Sequence, residues 1–182
     1  MKAFINPGHK VGIDPGACNP DGTQEADIAL RVGKLVCDYL NVAGVETELL
    51  QSNSLNGEDE DANNPSICRT ANESDADIFV SIHCNAFNGQ AKGTETCIYS
   101  AGSQSNILAD CIQAQIVDSL GTVDRGIKTR PNLAVLRDTI MPAVLVELAF
   151  IDNADDLYLL KNKTDEFARA IARGITDYQL SL

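Results

Sequence analysis

Short apolar runs alternate along this chain with segments of helical period, and that alternation limits the fold more than any other feature. The runs at 2–6, 45–50, 78–83, 95–99 and 143–150 are bounded by Gly, Asn, Asp or Pro, as strands are. Between and after them, helices are predicted at about 24–42, 66–74, 104–120, 154–162 and 164–180. In the first helix Ile28, Val32, Leu35, Val36 and Tyr39 share a face, and Gly44 supplies a C-terminal stop. Strands interleaved with helices imply an α/β layer fold: a twisted, mostly parallel or mixed sheet of about six strands flanked by helices. At 182 residues the chain is predicted to form one domain spanning 1–182, able to bury roughly 70% of its unfolded surface.

Composition removes several classes of partner. A net charge of −12 argues against nucleic acid, whose binding relies on Lys and Arg neutralising phosphates. No apolar stretch approaches membrane-spanning length, so no membrane partner is expected. The apolar run at the N-terminus is too short for a signal peptide, so the chain as given is expected to lack its own export signal. Six cysteines stand singly, with no Cys-x-x-Cys, and are read as reduced, buried thiols rather than a disulfide framework. Residues 51–65 are polar and acidic and read as a solvated surface excursion.

The chemistry gathers at strand ends. The chain has only two histidines, His9 and His83, and each closes a strand-like run. A lone histidine there is more often a hydrogen-bonded structural residue. A pair at the carboxyl ends of strands in an α/β sheet lies where functional groups collect. Two histidines and a carboxylate are the raw material of a catalytic zinc site, which uses three N/O ligands and keeps a fourth position for water. Candidates for the third ligand are Asp14, Asp21, Glu25 and Asp27. Glu25 is best placed, since it enters the first helix with a side chain long enough to turn back. Its ordinary explanation is a first-turn acid complementing the helix dipole. Glu147 sits in Ala143-Val-Leu-Val-Glu-Leu-Ala-Phe150, where nothing else is charged. It needs a buried partner such as Arg69 or Arg137, or a role beside a cation as a general base. Glu95 is a weaker acidic candidate and reads as a solvated strand-edge residue.

These blocks together resemble a known family. Asn6-Pro-Gly-His9, Asp14-Pro-Gly-Ala17, Gly22-Thr-Gln-Glu25, Arg69-Thr-Ala-Asn72, Ser81-Ile-His-Cys-Asn-Ala86 and Pro142-Ala-Val-Leu-Val-Glu-Leu-Ala-Phe-Ile-Asp-Asn153 are similar, in order and spacing, to the zinc-dependent N-acetylmuramoyl-L-alanine amidases of the AmiC/CwlV type. That family is found in bacterial cell-wall autolysins and phage endolysins. The resemblance runs over essentially the whole chain. It implies one Zn2+ held by His9, Glu25 and His83, with Glu147 as the catalytic carboxylate. Two departures bear on the surroundings of the site: Asn6 and Lys10 stand where the family commonly has Asp and Gly. The acidic stretch 51–65 also differs from the Arg- and Asp-containing segment usual before the helix carrying Arg69.

The implied reaction hydrolyses the amide joining N-acetylmuramic acid to L-alanine in peptidoglycan, so the expected place of action is the bacterial cell wall. Asn85, two residues past His83, falls on the same strand face if the strand continues, and is a candidate substrate contact. Another zinc- or cysteine-dependent wall peptidase is the first rival, but for the cysteine route Cys84 points to the opposite face from His83, leaving only Cys18 with His9. A glycan-binding module is disfavoured by the absence of Trp and a total of nine Phe and Tyr. A two-carboxylate glycosidase using Glu25 and Glu147 leaves the histidines unexplained. A C-terminal wall-binding domain beyond Leu182 is a further expectation, because an acidic catalytic domain gains from being tethered to its anionic target.

Overall fold

The computed structural model describes residues 1–57 and 60–182, so two residues of the acidic 51–65 stretch lie outside the described ones. In chain order the elements are β1 (Lys2–Pro7), α1 (Glu25–Val42), β2 (Glu46–Leu49), α2 (Ile67–Glu73), β3 (Ile78–Asn85), β4 (Thr94–Ile98), α3 (Gln104–Leu120), β5 (Asp124–Thr129), α4 (Ala134–Arg137), β6 (Ala143–Phe150), α5 (Ala154–Asn162) and α6 (Thr164–Leu180). The six strands form one mixed sheet in the order β2-β1-β3-β6-β4-β5. β2, β1, β3 and β6 run parallel, β4 is antiparallel to β6, and β5 runs with β4.

Two elements escape the apolar pattern. β5 reads Asp-Arg-Gly-Ile-Lys-Thr, an outer strand only partly buried, so it carries no apolar run to betray it. α4 is a single turn, too short for a helical period to register.

The sheet's two faces differ, and the difference creates the site. One face carries the larger core, where Ile78, Val80 and Ile82 of β3 and Val144, Val146 and Leu148 of β6 pack with α1, α3 and α6. Burial of each such side chain stabilises the fold by roughly 1.5–3 kcal/mol. The alternate residues face a smaller core of Phe4, Phe79, Cys97, Leu145 and residues of α2 and α4. Strand alternation carries that second face onward from Phe79 to Ser81 and His83, from Leu145 to Glu147, and from Cys97 to Glu95. The smaller core ends before these residues, leaving a polar row at the carboxyl ends of β3 and β6. Buried Asp156 secures this edge, its Oδ2 accepting from Gly93 N and Phe150 N at 2.8 Å each and tying the start of β4 to the end of β6.

Three expectations need correction. Glu95 is not solvated: it is 5% exposed, because β4 lies between β6 and β5 rather than at the edge. The 51–65 stretch is not wholly a surface excursion, since Ser52, Ser54 and Asn64 are buried. Asn64 Oδ1 accepts from Ser52 Oγ at 2.7 Å and Asn53 N at 3.1 Å, which draws the segment's two ends together. The six cysteines are free, and four are buried, but Cys18 is exposed and Cys111 half-buried. No described helix is long and apolar enough to cross a membrane.

Candidate metal centre

β1 delivers His9 through a short irregular turn. Lys10 and Asp14 exchange backbone hydrogen bonds of 2.9 and 2.8 Å, folding the chain back beneath the imidazole. Asp14 Oδ2 thereby comes within 2.7 Å of His9 Nδ1. His9 itself has φ 61°, a left-handed backbone that side chains seldom adopt and that is often retained at functional sites. Gly16 explains the second Pro-Gly block. Its φ is +65°, and a Cβ there would lie 2.5 Å from His9 Cδ2 and 2.6 Å from Glu25 Oε2. Gly8 is equally tight, since a Cβ would meet the His83 ring at 2.3 Å.

Glu25 is the first residue of α1, and loop carbonyls satisfy the helix start: Glu25 N donates to Ala17 O and Ala26 N to Pro15 O. That leaves the Glu25 side chain free to turn inward, where it is 3% exposed. One oxygen accepts from Ala17 N at 2.8 Å and lies 3.1 Å from His9 Nε2. The other accepts from Cys84 N at 2.9 Å and lies 2.9 Å from His83 Nδ1. The bonding atoms of His9, Glu25 and His83 all lie within 4.8 Å of one another. Burial opposes ionisation of Glu25, yet its hydrogen bonds to His83 and His9 outweigh that cost and hold it well below the usual carboxylate range. Glu25, against the cost of burial and with help from Asp14, raises His9 to about 9.

Two imidazole nitrogens and a buried carboxylate converging on one point form a donor set suited to a metal ion. Asp14 behind His9 is the usual outer partner of a metal-bound histidine, fixing which nitrogen faces inward. Of the four carboxylates left open by the sequence, Glu25 alone reaches both histidines. Asp14 stands behind His9, Asp21 pairs with Lys161 at 3.0 Å, and Asp27 is exposed on α1.

Glu147 is the cross-strand neighbour of His83 in the β3–β6 ladder and of Glu95 in the β4–β6 ladder. Its Oε2 is buried without a hydrogen-bond partner among the described residues. Neither arginine that could have neutralised it does so: Arg69 bonds Glu60, and Arg137 bonds Asp138 at 2.7 Å. Burial, with Glu25 and Glu95 adding to it against the pull of His83, pushes Glu147 up to about 7. A carboxylate in that range is matched to taking and returning a proton near neutrality.

A cleft of about 210 Å³ opens beside the histidines, with Asn6, Ser52, Leu55, Ile67, Leu133 and Val135 among its lining. The 51–65 stretch therefore contributes a wall of the site. A wider groove of about 500 Å³ between α1 and α5 holds none of the convergent donors. Asn85 is half-buried, and its side chain has no hydrogen-bond partner among the described residues. β3 reaches it, but a register shift between His83 and Asn85 interrupts simple alternation. Cys84 lies in the larger core on the far face from His83, and burial holds its thiol well above the ordinary range, which removes a Cys84 nucleophile.

Residues 3–177 match the family model described as N-acetylmuramoyl-L-alanine amidase. The chain is 39% identical to the endolysin of Bacillus phage SPP1, over 94% of this chain and 62% of that protein. It is 35% identical to the sporulation-specific N-acetylmuramoyl-L-alanine amidase of Bacillus subtilis, over 96% of this chain and 65% of that one. It thus spans less than two thirds of the length of either relative. Among solved structures, an N-acetylmuramoyl-L-alanine amidase from Clostridium difficile 630 superposes with a TM-score of 0.84 at 30% identity, covering 99% of this chain and 97% of that one. With its matching sheet, its convergent His9, Glu25 and His83, and a family match over nearly its whole length, the chain belongs to the N-acetylmuramoyl-L-alanine amidase family.

Proposed function

We propose that this chain hydrolyses the amide bond between the lactyl group of N-acetylmuramic acid and L-alanine in bacterial peptidoglycan, using one zinc ion held by His9, Glu25 and His83. The observation that carries the reading is the convergence of those three donors beside a half-buried Glu147 whose Oε2 is enclosed without a hydrogen-bond partner among the described residues. Zinc is the metal that two imidazoles and one carboxylate most often hold in hydrolytic sites. Bound there, it lowers the pKa of water towards ~7 and polarises the carbonyl.

The residues supply the rest. Glu147 takes the proton of the attacking water as its oxygen bonds to the lactyl carbonyl carbon. It returns that proton to the L-alanine nitrogen as the carbon–nitrogen bond breaks, so the acid and the free amine leave with atoms balanced. Asp14 holds His9 in one tautomer, with Nε2 towards Glu25. The apolar side chains of Leu55, Leu133 and Val135 keep water away from the acyl side of the cleft. Asn85, unpartnered among the described residues, serves as a hydrogen-bond donor to substrate. The place of action is the bacterial wall, with a wall-binding domain as its working partner.

Digestion of purified sacculi tests this reading. New amino groups bearing N-terminal L-alanine should appear without new reducing ends, a chelator should stop their release, and zinc should restore it. Activity that resists chelation but yields to a thiol alkylator would instead support the cysteine-dependent alternative.

A further inference from the structure

Beyond Glu147 the polar row continues into a cluster of cations. Glu95 Oε2 accepts from Arg125 Nε at 2.8 Å, and Glu95 Oε1 lies 3.9 Å from Arg130. Between Thr94 and Thr96 the β4–β5 register shifts, so Glu95 faces two residues of β5, Arg125 and Gly126. Gly126 has φ +73°, and the extra residue turns the strand at this point. The Arg125 guanidinium, bonded to Glu95 through Nε alone, is stacked over the Phe150 ring at 4.8 Å. Lys128 is the register partner of Cys97 and so stands on the same face. Two cations thus flank one buried acid, and a third stands one register position along beside Cys97, in a chain whose net charge is −12. Among the described residues the Arg125 terminal nitrogens make no hydrogen bond and the Lys128 ammonium no ion pair, and the Arg130 side chain is 52% exposed.

The position relative to Glu147 gives this cluster a purpose. Proton return places the departing L-alanine nitrogen at Glu147, and a stem peptide running from there across β6 would reach β4 and β5. Two strand spacings of ~4.8 Å separate β6 from β5, about 10 Å in all. Two extended residues span ~7 Å, and an arginine side chain closes the remainder. In unamidated peptidoglycan, the residue after L-alanine is D-glutamate joined through its side chain, which leaves its α-carboxylate free. We infer that Arg125 and Arg130, with Lys128 behind them, bind the free carboxylate of the acidic second residue of the leaving stem peptide and make the protein selective for acid over amide at that position.

This inference rests on the amidase reading, and its test separates the two. Zinc-loaded protein is given two muropeptides that differ only in carrying D-glutamate or D-isoglutamine after L-alanine. Binding of the corresponding free tripeptides is measured alongside cleavage. The wild type should favour the acid about tenfold in kcat/KM and in peptide affinity, as a charge-assisted contact predicts. In R130A the acid-to-amide ratio should fall towards one, and in R130K it should recover in part. Arg130 is exposed, so these variants should keep the wild-type circular dichroism. Cleavage of both muropeptides with an equal ratio in wild type and R130A would overturn the carboxylate site and leave the amidase reading intact. Cleavage of neither by zinc-loaded wild type would overturn both.

Discussion

Asp14 Oδ2 lies 2.7 Å from His9 Nδ1, and this contact decides which imidazole nitrogen faces Glu25. Loss of such an outer partner typically weakens metal binding 10–100-fold. D14A is expected to lower zinc affinity by about that factor while His9, Glu25 and His83 remain in place. Competition against a chromogenic chelator measures it, and an unchanged affinity would show that Asp14 has no hold on the site.

In the metal-free protein His9 is raised to about 9, so at pH 7 it carries a proton that a metal must displace. Zinc affinity should therefore climb with pH, approaching tenfold per unit, until about pH 9. Calorimetry at pH 7 in buffers of different ionisation enthalpy should register release of about one proton per zinc. The stability that His9 draws from Glu25 without metal is complete below the unfolded value near 6.5 and is lost as pH rises through about 9.

Replacing Glu147 by Gln separates chemistry from stability. E147Q should retain zinc and fold while its rate falls ~10²–10⁴-fold, the usual cost of losing a general base. Because the native carboxyl is raised from 4.5 to about 7, wild-type metal-free protein loses stability as pH rises from the unfolded value through about 7. E147Q removes that penalty. In chelator at pH 8 it should unfold later than wild type by up to about 3 kcal/mol, with the difference vanishing below pH 4. Denaturant melts at the two pH values check both signs.

The pH–rate profile follows from the same residue. Glu147 must be ionised to accept the water proton, so activity should rise with pH along an acid limb. Its inflection should lie at or below about 7, because a cation held beside His83 favours the charged form. E147Q should lack this limb, and a limb that survives in the variant would assign it to another group.

Gly16 tests the close approach that the second Pro-Gly block provides. In G16A the left-handed backbone alone costs about 1–2 kcal/mol. The added methyl also meets His9 and Glu25 at 2.5 and 2.6 Å. Lower melting temperature together with lost zinc binding is expected, whereas G12A, with open space around it, should affect only stability.

The elements with a long apolar face were legible in the sequence: the stripe Ile28, Val32, Val36 of α1 and the apolar runs of β3 and β6 each report their own burial through local periodicity. His9, His83 and Glu147 could also be picked out, because a rare residue type or an isolated charge in an apolar run is visible without neighbours; Glu25 was one of four candidate acids, favoured for its place at the start of a helix. Other features depended on strand order. Glu95 reads as an edge residue in Gly93-Thr-Glu-Thr-Cys97, and only the placement of β4 between β6 and β5 buries it against Arg125. β5 was silent because an outer strand that is only half covered needs no apolar run. Asp14 was one acid among four until the Lys10–Asp14 turn set it behind His9. Likewise the polar 51–65 stretch became a wall of the cleft only where Asn64 drew its ends together. Local patterning carries the burial demand of each segment. Which charges meet, and at what distance, is set by contacts between residues far apart in the chain, and no local pattern records them.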